Sequence, residues 1–257
     1  MLRSRVMPCL LIHKKGLVKT VKFSEPKYVG DPINAVKIFN EKEVDELLVF
    51  DIDASVNGSE PDYALIGKLA VECRMPLCYG GGIKSVGQAR RIVELGVEKV
   101  ALSSSAIENS SIVSEIAAVL GRQSVVVVVD VKKTLLGGWA VFTHNGKKKI
   151  KKDLWVLLQE LEKSGAGEIV VNSIDNDGLM QGYNMKLAQM VRDQVSIPIT
   201  VLGGAGSKDH IFELVDRFKV IGAAAGSLFV FKGVYKAVLI NYLSDSDMDR
   251  LNRTSDS

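Results

Sequence analysis

The feature that most constrains this chain is a repeat of itself. VDELLVFDIDAS, Val44 to Ser55, aligns without gaps on AGEIVVNSIDND, Ala166 to Asp177, an offset of 122 in a chain of 257 residues. Glu46 falls on Glu168, Ile52 on Ile174 and Asp53 on Asp175. The same offset carries GGGIKS (Gly80 to Ser85) onto LGGAGS (Leu202 to Ser207), and Gly16 onto Gly138. An offset near half the chain, kept through three separate motifs, indicates two halves built on one plan.

What each half folds into follows from its patterning. Short branched apolar runs alternate with longer segments whose apolar residues recur at i, i+3, i+4 and i+7. Eight runs read as strands: 5–12, 46–52, 75–80, 98–104, 124–130, 168–174, 197–203 and 218–225. Runs such as SVVVVVD are apolar almost throughout, which marks a parallel sheet covered by helices. PINAVKIFNEKEV, VGQARRIVELGV and DLWVLLQELEKSG read as such helices. An open doubly wound sheet is the alternative, but two (βα)₄ halves close naturally into a (β/α)₈ TIM barrel. The expected organisation is a single barrel over 1–243, with half-barrels of about 1–122 and 123–243. The polar tail 244–257, SDSDMDRLNRTSDS, is expected to be disordered.

Composition narrows the class of partner. Lys and Arg number 33 against 30 Asp and Glu, which gives no sign of a nucleic-acid or membrane surface. The one basic cluster, KKKIKK (Lys147 to Lys152), reads as a solvated loop, with an anion or partner contact as the lesser reading. Cys9, Cys73 and Cys78 form no even disulfide framework and have no zinc-type spacing, so free thiols are expected, with no metal and no cofactor. No leader-like opening or long apolar run is present, and a cytoplasmic protein is expected.

Loops after the strands form the working face of such barrels. Gly80–Gly82 after the third strand and Gly203, Gly204 and Gly206 after the seventh are related by the repeat. SSSA (Ser103 to Ala106) after the fourth strand and AAGS (Ala224 to Ser227) after the eighth stand beside them. Glycine lets backbone approach an anion, so paired loops point to a ligand phosphorylated at both ends. The candidate binding residues are Gly81, Gly82, Ser103, Ser104, Asn172, Asp175, Asp177, Gly203, Gly204, Gly226 and Ser227. Asp51 and Asp53 close the second strand, and Asp53 reads equally well as a helix cap. Asp130, carried to the lumen rim by VVVVVD, is the candidate general acid or base. Lys19 lies in a long segment, GLVKTVKFSEPKYVGDP, that reads as a loop and candidate lid. WAVFTHNGKKKI reads as a hairpin turning at Asn145-Gly146, with His144 exposed at its tip. At the opposite face Arg5, Glu46, Lys99 and Glu168 stand at strand starts, either as ordinary surface charge or as a closed ionic ring.

These motifs together resemble the cyclase subunit of imidazole glycerol phosphate synthase over about residues 1–240: R–x–x–P–C–L, GDP at 30–32, DELLVFDIDAS, GGGI, SIDNDG and GGAGS. The resemblance implies a duplicated, ribulose-phosphate-binding type of barrel that works with a glutaminase subunit at its base. Ammonia would pass a charged gate, matched by Arg5, Glu46, Lys99 and Glu168, and meet a bisphosphorylated ribulosyl formimino nucleotide at the top. The products would be imidazole glycerol phosphate and an aminoimidazole ribonucleotide. The resemblance assigns acid/base work to Asp130 and a loop role to Lys19. It also expects an aspartate on the first strand, where this chain has Leu11. Ser103, Asn172 and Ala101 likewise depart from the usual asparagine, threonine and serine. CLLIHKKGLVKTVKF and KYVGDPINAVKIFNEKEVDEL look like a branch associated with amidation of acetamido sugars in surface-glycan synthesis, which would add a sugar amidotransferase as partner. The expected function is therefore ammonia delivery in sugar amidation, with histidine-pathway ring closure or a non-catalytic scaffold for the glutaminase as alternatives.

Overall fold

A computed structural model describes residues 3–135 and 137–255. Eight strands form the barrel: β1 Arg5–His13, β2 Leu47–Asp51, β3 Leu77–Gly80, β4 Lys99–Leu102, β5 Val125–Lys133, β6 Glu168–Ser173, β7 Ile199–Leu202 and β8 Gly222–Ala225. Each is parallel to the next, and β8 pairs with β1 to close the barrel. Helices occupy the connections, so the chain is a (β/α)₈ TIM barrel.

The unbroken valine run of β5 follows from this closure. Alternate residues of a strand face opposite sides. Val125, Val127, Val129 and Val131 pack under the helices, while Val126 and Val128 join Met7, Cys9, Leu48, Cys78, Ala101, Val170, Leu202 and Ala224 inside the lumen. Both faces are dry, so both registers are apolar. The repeat reappears in the helix starts at the same offset of 122: Asp31 and Asp153, Asp62 and Asn184, Ser85 and Ser207 each cap a helix by accepting backbone N–H groups. Each such cap contributes about 1 kcal/mol, and together they fix where three helices of each half begin.

Three expectations are corrected. The segment after β1 is not a loop but a β-hairpin, Gly16–Val21 and Ser24–Gly30, continuing antiparallel from β1. Its two turns use paired left-handed residues, Lys14 and Lys15 at φ 48° and 66°, then Lys22 and Phe23 at 52° and 63°. That is the geometry of tight hairpin turns, made here without the Asn-Gly or Asp-Gly pair that advertises it. The tail is not disordered through 255: Asp245–Ser255 is a helix. A reciprocal cap starts it, with Asp247 N–H donating to Ser244 Oγ (3.3 Å) and Ser244 N–H to Asp247 Oδ2 (3.2 Å). Leu251 is buried, Arg250 lies 4.0 Å over the Phe212 ring, and Lys208 pairs with Asp247 at 2.9 Å. Residues 256 and 257 of that expectation lie outside the described residues. The hairpin after β5 is present, as Trp139–Thr143 and Lys148–Lys149, but His144 at its turn is half-buried rather than exposed. Among the described residues no helix is long and apolar enough to cross a membrane.

Candidate functional site

The barrel carries organised polar groups at both ends. At the base, where the strands begin, Arg5 bonds Glu46 and also Glu168 (2.7 Å), while Lys99 lies 2.9 Å from Glu46 and 3.2 Å from Glu168. The four charges therefore close into a ring. Both carboxylates are buried, and the two cations keep some contact with solvent. Thr200, fully buried, donates to Glu168 at 2.5 Å. Burial works against an ionised Glu168, yet Arg5 and Lys99 outweigh it and hold its carboxyl below the ordinary range. Gly222 leaves room for this layer, because a Cβ there would stand 1.9 Å from Thr200 Oγ1. Above the ring the lumen is lined by small and branched apolar side chains.

At the top end a cavity opens among the strand-end loops. Asp130, from β5, faces it beside its β6 neighbour Asn172, whose amide donates to Asp130 Oδ1 at 3.0 Å. Burial pushes the Asp130 carboxyl up to about 7; the Asn172 bond opposes this and the nearby Asp177 charge adds to it. Near neutral pH such a group is populated in both proton states and can take or give a proton. The first hairpin carries Lys19 into the same cavity, where its ammonium donates to the Cys9 carbonyl. Burial pulls the Lys19 ammonium below its ordinary range.

Asp177 explains why that hairpin sits down on the barrel. Its carboxylate accepts from Thr20 Oγ1 (2.9 Å) and Phe23 N–H (3.2 Å), and its carbonyl accepts from Lys22 N–H (3.0 Å). Gly178 permits the approach, since a Cβ there would come within 2.2 Å of the Thr20 carbonyl. Asp177 thus lines the cavity while bonding the hairpin that roofs it.

Of the residues expected at this face, Gly81, Ser103, Ser104, Asn172, Asp177, Gly203, Gly204, Gly226 and Ser227 line the cavity, as do Asp130 and Lys19. Gly81 and Gly203 have φ of 127° and 93°, and each packs against a carbonyl of the preceding strand end, that of Asp51 or Ser173. Gly82 and Asp175 do not line this cavity. Gly82 sits in an adjoining groove with Lys84 and Ser105. Asp175 instead accepts the Lys133 N–H at 2.7 Å, as its repeat partner Asp53 accepts the Lys14 N–H at 2.8 Å and contacts His13 Nδ1 at 2.7 Å. These two aspartates tie the end of each half's first strand to the next loop.

Leu11 lines the cavity from β1, packed with Phe50 against the apolar lumen residues. Where the resemblance expects a first-strand carboxylate, the cavity wall is therefore hydrocarbon. Sequence reasoning missed Thr20, Phe23, Asn145 and His144, all of which line the cavity. Thr20 and Phe23 were hidden in a segment read as a loop, and Asn145 was read only as a hairpin turn. His144 was discounted because hairpin tips are ordinarily solvated.

A family model described as "Histidine biosynthesis protein" matches residues 5–236. A Vibrio vulnificus protein provisionally named imidazole glycerol phosphate synthase subunit hisF3 is 60% identical over 96% of this chain and 95% of its own. A Leptospira borgpetersenii protein provisionally named as the HisF subunit of the same synthase is 56% identical, over 98% and 99%. The imidazole glycerol phosphate synthase subunit HisF of Streptococcus sanguinis is 37% identical, over 89% and 91%. With a family model spanning nearly the whole barrel and relatives of this identity along most of its length, the chain belongs to the HisF-like family of imidazole glycerol phosphate synthase subunits.

Proposed function

We propose that this chain is the ammonia-receiving subunit of a glutamine-dependent imidazole glycerol phosphate synthase. A glutaminase subunit docks at the base, ammonia enters through the Arg5–Glu46–Lys99–Glu168 ring, and a doubly phosphorylated nucleotide precursor occupies the top cavity. The single observation that carries this reading is the placement of the ring at one end of an apolar lumen and of Asp130 with Lys19 at the other. Ionised ammonium is costly to move through an apolar shaft, whereas neutral ammonia crosses it at little cost. Asp130 accepts a proton from the attacking nitrogen, with its bond from Asn172 fixing the carboxylate. Lys19 neutralises charge on the bound ligand. The paired glycine loops supply backbone room for its two phosphates.

The expectation of sugar amidation gives way to this reading because the relatives from 60% down to 34% identity carry the synthase name. One observation keeps a second reading in view. Leu11 lines the cavity where the resemblance expects a carboxylate, and the relatives at 50–60% identity are only provisionally named whereas those at 34–37% are named outright. On that reading the ammonia route serves another acceptor, such as an acetamido sugar handled by a partner amidotransferase. The deciding experiment is turnover of the ribulosyl formimino nucleotide with ammonium salt by the purified barrel. Formation of imidazole glycerol phosphate supports ring closure. No product from the wild-type chain, and product from Leu11→Asp, places the native acceptor elsewhere.

A further inference from the structure

We infer that His144 is a second proton-transfer residue of the top face, contacting the phosphorylated ligand where the central cavity meets the adjoining groove and supplying the acid/base function that Leu11 lacks. This rests on the reading of the cavity as the synthase site. Four observations carry it. His144 lines both the central cavity and the adjoining groove that holds Gly82, Lys84 and Ser105, so it stands where the two join. It is held there by its backbone: φ is 54°, a conformation that costs a non-glycine residue, and its N–H donates to Ser104 Oγ at 3.1 Å. Its ring is oriented through Nδ1, which lies 3.1 Å from Oγ1 of the fully buried Thr143 and 4.0 Å from Glu108 Oε1. Glu108 is itself fixed by Lys148 at 2.5 Å. Among the described residues no hydrogen bond engages Nε2, so the oriented ring offers one nitrogen to a ligand.

A hydroxyl donor beside one ring nitrogen fixes the tautomer: Thr143 Oγ1–H donating to Nδ1 leaves the ring proton on Nε2, free to pass to substrate. In the step assigned here His144 Nε2–H gives its proton to the nitrogen that leaves as its C–N bond breaks. Asp130 takes a proton from the incoming ammonia nitrogen as the new C–N bond forms. One proton is lost by His144 and one gained by Asp130, and exchange with solvent resets both. β5 and the hairpin that follows it thus carry the two groups: Asp130 of β5 pairs with Phe142, and His144 lies two residues farther on.

Two measurements decide it. The chain has only three histidines, so its imidazole nitrogens are resolvable by long-range ¹H–¹⁵N spectra, with His144→Gln giving the assignment. Titration of the full chain with ribose 5-phosphate is expected to move the Nε2 signal of His144 saturably while His13 stays fixed. No movement of His144, or equal movement of all three, overturns the proposal whatever the native reaction is. In the nucleotide-precursor assay His144→Gln is expected to lower kcat by about 10²–10⁴ with KM changed less than about threefold. Unchanged kcat, or a rise confined to KM, shows phosphate binding or structure alone and overturns the proton-transfer role. A wild-type chain that makes no product from the precursor refutes the ring-closure reading instead, and the spectrum then decides the fate of His144 alone.

Discussion

Removing Lys99 tests whether the base ring is a closed electrostatic unit. Lys99→Met deletes three contacts, at 2.9, 2.9 and 3.2 Å, and leaves Glu46 and Glu168 to share Arg5. Breaking a buried ion pair by removing one partner costs about 3–5 kcal/mol. The lower figure applies here, because Arg5 still bonds both carboxylates and Thr200 still donates to Glu168. For a chain of this size each kcal/mol lowers Tm by about 2–4 °C, so a fall of about 6–12 °C is expected by differential scanning calorimetry at pH 7. The pH dependence gives a sharper check. The folded-state pKa of Glu168 is depressed, so its stabilisation is present above the unfolded value and lost as pH falls through the folded value. Without Lys99 that depression shrinks, and the gap between wild type and variant should narrow below about pH 4. Lys99→Arg, which keeps a cation, should recover most of the loss. A fall under about 2 °C for Lys99→Met, or a gap independent of pH, refutes the ring as a coupled unit.

Asp130→Asn should abolish turnover, and in the wild type the acidic limb of kcat/KM should have a midpoint near the pH of about 7 expected for Asp130. The sign for stability is opposite to that of Glu168. The folded pKa of Asp130 is raised, so its stabilising protonated form is lost as pH rises through about 7, and Asp130→Asn should be neutral at pH 4 and stabilising at pH 8, by at most about 4 kcal/mol in urea titrations. Gly222→Ala places a Cβ 1.9 Å from Thr200 Oγ1 and 2.7 Å from Met7 Cε, and should cost about 1–3 kcal/mol in urea titrations while weakening the bond to Glu168. Leu251→Ala should lower stability by about 2 kcal/mol, since it empties the contact that holds the C-terminal helix; a change within error would mean the helix is not docked.

The barrel was legible because burial on both faces leaves a strong mark: a strand such as VVVVVD has little other place in a soluble fold. The base ring was half legible. Arg5, Glu46, Lys99 and Glu168 could be seen at strand starts, but only closure of the sheet brings residues so distant in sequence to one layer. The first hairpin was illegible because its turns are made by lysines and Phe23 in left-handed conformations, which sequence pattern does not announce. The C-terminal helix was hidden by polarity, although Ser244 and Asp247 carried a capping signal. Asp175 and Asp177 look alike in sequence, yet one closes a loop and the other clasps the hairpin beside the cavity. His144 was misread because a turn residue usually faces water, whereas this turn folds back over the barrel mouth.

The central claim is that ammonia reaches Asp130 through the lumen. Ala224 lies inside it, fully buried and below the top cavity, so Ala224→Leu narrows the shaft without touching the cavity wall. In the complex with the glutaminase subunit, product formation driven by glutamine should be compared with that driven by saturating ammonium salt. The account predicts at least a tenfold loss of the glutamine-driven rate, equivalent to about 1.4 kcal/mol in the barrier, with the ammonium-driven rate within about twofold of wild type. A ratio of the two rates unchanged from that of the wild-type complex would contradict it.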